Sequence, residues 1–584
     1  MNNEWSLDVL YKGFDDPAFI ADFKTVDTLI EESHTLSAAL SSMSEKEGIL
    51  AIISFREKAS TSLSKLFHYV MLRQTTDTTN PETTSLIGKL TEKESDSSKD
   101  DVIFDKFIAN ASSLDQLIEE NDVCKEYAYY LRQIRKNCSH LLSDDVEEMI
   151  SKMNLTAGGS WASLFDYLTS TVEADYNGEK ITLSAVRNLA YSSDASVRKA
   201  AYDAEIACYE KIKDPIAYAL NNIKKQVNML SEKRGYESPL AMTLEQSRMS
   251  KETLDALWTA VEEYLPKFQS YLKRKGELLG YKNGLPWFEM YAAIGKSEKT
   301  FTVEEAREYL ISHFSHFSKD MADMMTEAFD HSWIDFFPRP GKVGGAFCDN
   351  LTDQKQSRVL TNFDGTLNSI GTLAHELGHA YHGLHIQDHK PLNTHYTMPV
   401  AETASTFNEN VIMSAAIDQA TGEEKLALIE SQLQDFTQTI CDIYSRFVFE
   451  NTVFNKTKDE FLFPDQLKVI MTDAQIKAYG EGLDPEYRHP FMWTCKGHYY
   501  SEHLSYYNFP YAFGALFSKG LYAMYRKEGE SFVPKYQELL KATTICDVED
   551  VAKMVGADIT KPDFWRESLQ LIADSIDQFM ELTK

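Results

Sequence analysis

The chain has 584 residues, 43% of them hydrophobic, with 89 acidic against 59 basic side chains and a formal net charge of -30. That length and apolar content suffice for a sizeable core and exclude a wholly disordered chain. The acidic balance repels nucleic acid and anionic membrane surfaces, and no run reaches the roughly 18 apolar residues of a membrane-spanning helix.

The opening MNNEWSLDVLYKGFDD has acidic residues where a secretory leader carries a basic region and an apolar core, so a cytoplasmic location is expected. Seven scattered cysteines form no C-x-x-C pair, which reads as reduced core thiols and not as a disulfide framework or a thiolate metal site. The polar run Thr91 to Asp101 (TEKESDSSKDD) is expected to be a solvated connection. From Thr171 to Thr182, alternating residues around Asn177-Gly178 predict a β-hairpin, because both residues tolerate positive φ. Every chemical motif lies beyond Ser196, so two domains are expected, residues 1–195 and 196–584. Apolar spacing such as Leu254, Leu257, Val261 and Leu265 predicts a mainly α fold, and Met321, Met324 and Met325 read as helix core. Between Gly344 and Phe363, GGAFC and RVLTNF predict two short strands.

The segment His375-Glu376-Leu377-Gly378-His379 matches H-E-x-x-H behind a helix-compatible run from Ser369. Residues four apart share a helix face, so His375 and His379 can offer two imidazole nitrogens to one ion, while Glu376 can reach a water without being a ligand. Two surface histidines on an ordinary helix would fit the short motif as well, so a third ligand matters. Pro399 suits a first helical turn, and beyond it Glu402, Ser405 and Glu409 fall on one face. Glu402 is the natural ligand. Two histidines and one glutamate leave a coordination position open, the pattern of one catalytic Zn2+ per chain. Ser405 and Glu409 would orient the ligands, though Glu409 also fits a plain acidic face.

The combination TLAHELGHAYH and PVAETASTFNE, with the Tyr-rich GHYYSEHLSYYNFPYAFGALFSKGLY, resembles the thimet oligopeptidase and oligoendopeptidase F group of zinc metallopeptidases, and the second of these branches most. GGAFC, SVRKAAYDA, KRGYESPLAMTL and the opening WSLDVLYKGFDDPAF extend the likeness over nearly the whole chain. The resemblance implies a mainly α fold whose two helical halves enclose a deep channel with zinc on its floor, a small β element nearby, and short peptides as substrates. It implies His375, His379 and Glu402 as metal ligands and Glu376 as general base. It also implies a histidine and tyrosines over the scissile carbonyl. His498 with Tyr507 and Tyr511 is the best counterpart, and His503 and Tyr506 compete for those roles because the spacing departs from the thimet type. His382 is expected to pack or hydrogen-bond, and His385, His389 and His395 to lie on the surface or in loops. Gly345, Ala346 and Phe347 would pair with the substrate backbone, or else merely complete a small sheet. An exopeptidase on the same short motif is the alternative activity, and a peptide-binding protein with a structural zinc is the non-catalytic one. The sequence leaves the oligomeric state, the cleavage preference and the physiological substrate open.

Overall fold

The computed structural model describes residues 2–295 and 299–584. Helices dominate, the longest being Glu45–Thr76, Pro81–Asn110, Ala195–Lys233 and Lys251–Leu278. Their starts are fixed locally. Ser44 and Glu47 form a capping box at one helix, Asn80 accepts the Glu82 and Thr83 amides in front of Pro81 at another, and Ser250 caps a third. Each satisfies backbone N–H groups that have no partner inside the helix.

The chain divides into two compact units, each assembled from three separate segments. The first comprises Met1–Leu141, Lys299–Ile412 and Tyr525–Val555, and the second Leu142–Glu298, Met413–Met524 and Gly556–Lys584. These divisions do not coincide with residue 195, which opens helix Ala195–Lys233 inside the second unit.

In the first unit, helix Pro81–Asn110 runs without a break through the polar stretch 91–101, so the expected connection there is corrected to helix. Charged residues such as Glu and Lys are good helix formers, and an exposed face needs no apolar residues. Leu90, Phe104 and Ile108 supply the buried stripe, and Asp100, only 5% exposed, accepts from Ser37 Oγ at 2.6 Å and pairs with His34 Nδ1 at 2.7 Å. Met321, Met324 and Met325 are buried as expected.

The sequence singled out two strands near the motif, and the sheet has three. In chain order the strands of the molecule are β1 (Glu173–Tyr176), β2 (Glu179–Thr182), β3 (Ile334–Asp335), β4 (Phe347–Leu351) and β5 (Gln356–Leu360). β4 pairs antiparallel with β5 from Phe347↔Leu360 to Leu351↔Gln356, and β3 adds parallel to the other edge of β5. The strand begins at Phe347, since Gly344 and Gly345 form a bend in which Gly345 takes φ +78°. Helix Leu367–Ile386 packs on β4 and β5.

In the second unit, β1 and β2 form the expected hairpin, with Asn177 and Gly178 at φ +51° and +85°. The core of this unit gathers Trp493, Tyr499 and Tyr500 against helix Ala195–Lys233, and Phe165 stacks on Tyr500 with centroids 3.9 Å apart. All seven cysteines are free thiols, three buried and four half-buried. Among the described residues, no helix is long and apolar enough to cross a membrane.

Candidate metal centre

Thr366 caps helix Leu367–Ile386 by accepting the Ser369 amide, and Asp364 in turn accepts from Thr366. Leu367, Ile370, Leu373, Ala374 and Leu377 bury one side of that helix. His375 and His379 stand one turn apart on the other side, their rings nearly perpendicular with centroids at 4.9 Å.

The third ligand comes from a broken helix. Met398–Ala401 makes one turn with Pro399 near its start, Glu402 departs from helical geometry at φ -88°, ψ 6°, and Thr403–Gln419 resumes. At that break the Glu402 carboxylate turns toward the histidines. Its Oε2 lies 3.2 Å from His375 Nε2 and 3.4 Å from His379 Nε2. Ser405 Oγ donates to the same Oε2 at 2.7 Å. Glu409 Oε1 meets His375 Nδ1 at 2.8 Å, which fixes the ring and directs Nε2 at Glu402. A metal-binding imidazole is held this way when a carboxylate takes its second nitrogen.

Close packing brings the two helices together, and this lay outside the sequence reading. A Cβ on Gly378 would meet the Ala404 carbonyl oxygen and the Ser405 Cα at 2.6 Å. Asn408 Nδ2 donates to the Ala374 carbonyl at 3.1 Å, and Asn350 on β4 donates to the His379 carbonyl at 3.2 Å. A glycine inside a helix costs stability unless something needs the space, and that was the available signal for Gly378.

Electrostatics point to a cation. Burial opposes a charge on His375, yet the Glu402 and Glu409 carboxylates outweigh it and push its pKa up to about 10. Burial likewise acts to raise Glu402, and the two imidazoles overcome it, holding this carboxyl well below the usual carboxylate range. Positive charge is therefore drawn to the point where the three donor atoms meet. Two imidazole nitrogens and one carboxylate oxygen are the donor types a divalent ion such as Zn2+ takes, so the residues fit one.

Glu376 belongs to the same group, because ligand atoms of His375, Glu376 and His379 all lie within 4.8 Å of one another. It is 5% exposed, and burial raises its pKa. A cleft of about 530 Å³ opens beside it, lined by Gly345, Ala346, Thr372, His375, Glu376 and Glu409. Phe347 lies elsewhere, its ring packing edge-on to Trp5 at 6.2 Å.

Three further residues gather in the second unit. Asn508 donates its amide to His498 Nε2, and Arg446 Nη1 donates to Asn508 Oδ1 at 2.8 Å. Burial, then the charges of Arg446, Lys224 and Lys496, depress the His498 pKa, so the ring is neutral and its Nδ1 carries the proton. The Tyr507 ring lies 5.9 Å from His498, and the Tyr507 and Tyr511 hydroxyls are 2.8 Å apart. Tyr506 points into a core instead, donating to Asn451 at 3.0 Å and stacking on Phe454. The His503 side chain is 73% exposed and lies 3.4 Å from Glu502.

His382 is fully buried, stacked on Tyr396, with Nε2 2.8 Å from Thr543 Oγ1. His385 is not a loop residue. It sits in helix Leu367–Ile386 and packs edge-on to Tyr381. His389 Nε2 meets the Lys541 carbonyl at 2.9 Å, and His395 is exposed.

The sequence pattern of Peptidase family M3 matches residues 188–571, and that of Oligopeptidase F matches residues 109–173. Oligopeptidase PepF of Bacillus subtilis is 24% identical over 99% of this chain and 87% of its own length. Group B oligopeptidase PepB of Streptococcus agalactiae is 24% identical over 92% of this chain and 91% of its own. Among solved structures, oligoendopeptidase-F from Enterococcus faecium is similar in fold, with TM-score 0.71 at 20% identity over 97% of this chain and 98% of that one.

Proposed function

The chain belongs to peptidase family M3 and is a metallo-oligopeptidase, and from that premise we propose that it is a zinc endopeptidase cutting internal bonds of short peptides. The reading rests foremost on one carboxylate oxygen, Glu402 Oε2, standing 3.2 and 3.4 Å from two imidazole nitrogens with Glu376 in the same cluster. His375, His379 and Glu402 would hold the ion. When bound, Zn2+ supplies the Lewis acidity that makes water nucleophilic near neutral pH and polarises the scissile carbonyl.

The remaining chemistry falls to the protein. Glu376 accepts the proton of the attacking water and returns it to the leaving nitrogen, and its burial keeps that carboxylate basic enough to do so. Ser405 steadies Glu402, and Glu409 steadies His375. His498 Nδ1–H and the hydroxyls of Tyr507 and Tyr511 are the donors we assign to the developing oxyanion. Gly345 and Ala346, on the wall of the cleft that contains His375 and Glu376, offer main-chain groups to an extended peptide and read no side chain. All of these groups lie within residues 196–584, the segment we assign to catalysis. Seven free thiols support a reducing, cytoplasmic setting.

A fluorogenic peptide blocked at both ends tests this reading. We expect it to be cut internally, the activity to vanish with a chelator and to return with Zn2+. Cleavage only when one end is free would assign the protein to the exopeptidases.

A further inference from the structure

Apart from the metal centre, the second unit contains a pocket of about 330 Å³, walled by the turn of helix Leu183–Asn188, the start of helix Ala195–Lys233, residues 287–291 and residues 489–496. That volume sits at the lower end for small-molecule sites, so it admits only a compact ligand. Its walls are aromatic. Tyr191 and Tyr291 lie 4.5 Å apart, and Trp287 packs on the His489 ring at 5.5 Å.

The polar groups of this pocket are incompletely paired. Arg187, its side chain 42% exposed, places Nε 3.4 Å from Glu205 Oε1, and half-buried Lys496 lines the same wall. Glu205 Oε1 accepts from the Tyr209 hydroxyl at 2.9 Å and lies 3.5 Å from His489 Nε2. His489 is 1% exposed, and among the described residues its Nδ1 has no hydrogen-bond partner. Arg198, by contrast, is spoken for by Glu289 and the Ser192 carbonyl. A buried polar atom without a partner is costly, and His489 Nδ1, on one cavity wall with a carboxylate and two cationic side chains, marks a place where a ligand completes the bonding.

We propose that this pocket binds a free α-amino acid with an apolar or aromatic side chain. Cationic and anionic groups side by side on one wall complement the neighbouring carboxylate and ammonium of such a zwitterion, the carboxylate meeting Arg187 and Lys496 and the ammonium meeting Glu205 and His489. Charge-assisted hydrogen bonds at both ends supply selectivity, and the rings of Tyr191, Tyr291 and Trp287 take the side chain. Free amino acids are the class of compound that complete peptide degradation yields, so the ligand is an end product of the pathway in which an oligopeptidase acts.

Calorimetric titration of the full chain with L-phenylalanine tests the proposal. Saturable binding of one ligand per chain is expected, with Kd in the millimolar range or tighter. Phenylacetate and phenethylamine, each lacking one end, should bind at least about tenfold more weakly, as should L-phenylalanine to Arg187→Ala or Lys496→Met. Binding to Glu376→Gln and to chelator-treated protein should be unchanged, which separates this pocket from the metal centre and from the catalytic reading. Thermal unfolding of each variant identifies any that misfolds, and Lys496→Met, at a half-buried position, stands in if Arg187→Ala does. The proposal is overturned by the lack of saturable binding, by equal affinity for the one-ended analogues, by binding of glycyl-phenylalanine but not of phenylalanine, or by loss of binding on chelation.

Discussion

Gly378 approaches the backbone of Ala404 so closely that a methyl group on its α-carbon would lie 2.6 Å from the Ala404 carbonyl oxygen. The helix bearing both histidines and the helix following Glu402 thus meet at a contact only glycine permits. Gly378→Ala would wedge them apart. Overpacking of this kind costs about 1 to 3 kcal/mol, and a displaced ligand weakens metal binding about tenfold or more. Thermal unfolding and chelator competition on the same variant check both effects.

Glu409 bonds His375 Nδ1 and would act on a bound ion only through that ring. Glu409→Gln should therefore leave the ligand set intact and lower metal affinity about 10- to 100-fold, since it orients the imidazole without coordinating. Competition with a metal-sensing dye reads the loss. An unchanged affinity would make Glu409 part of an ordinary acidic face.

Tyr506, Tyr507 and Tyr511 should separate by phenotype. Removing one oxyanion donor costs on the order of 10² to 10³ in turnover, which is expected for Tyr507→Phe or Tyr511→Phe. Tyr506→Phe loses only its bond to Asn451, so about 1 kcal/mol of stability should go while kcat holds. Steady-state kinetics beside urea unfolding distinguishes the two classes.

The pairing of His375 with His379 and the candidacy of Glu402 were legible because their logic is local: spacing along a helix, and a proline-started turn ahead of Glu402. The hairpin at Asn177-Gly178 was legible for a similar reason, positive φ at two permissive residues. What places Glu402 beside the histidines was not. Gly378 against Ala404 and Asn350 on the His379 carbonyl are contacts between segments distant in sequence, and nothing in either segment names its partner. The stretch from Thr91 to Asp101 misled because polarity measures exposure, and an exposed helix face is as polar as a loop. β3 escaped because two residues carry no period.

That helix supplies its own test. Ser95 lies inside Pro81–Asn110, so Ser95→Pro should cost about 3 kcal/mol or more, where a true surface connection would tolerate it. Urea unfolding followed by circular dichroism decides.

Burial, reinforced by the charges of His379 and His385, depresses the His382 pKa to about 3 from an unfolded value of 6.5. Between those values the unfolded chain binds a proton that the folded chain refuses, so stability rises with pH across that window and is lost on acidification. One such group contributes a slope of up to about 1.4 kcal/mol per pH unit. His382→Gln should be less stable near neutral pH, through its disturbed contact with Thr543, yet show a shallower decline between about pH 6.5 and pH 4. Unfolding free energies across that range give both numbers.

On the proposed function, the imidazoles of His375 and His379 and the Glu402 carboxylate hold one catalytic Zn2+. Elemental analysis of extensively dialysed protein measures it directly. One zinc per chain is expected in the wild type and in an inactive Glu376→Gln variant, and none in Glu402→Ala. Stoichiometric metal remaining in Glu402→Ala, or full peptide hydrolysis by wild-type protein from which all metal has been stripped, would contradict it.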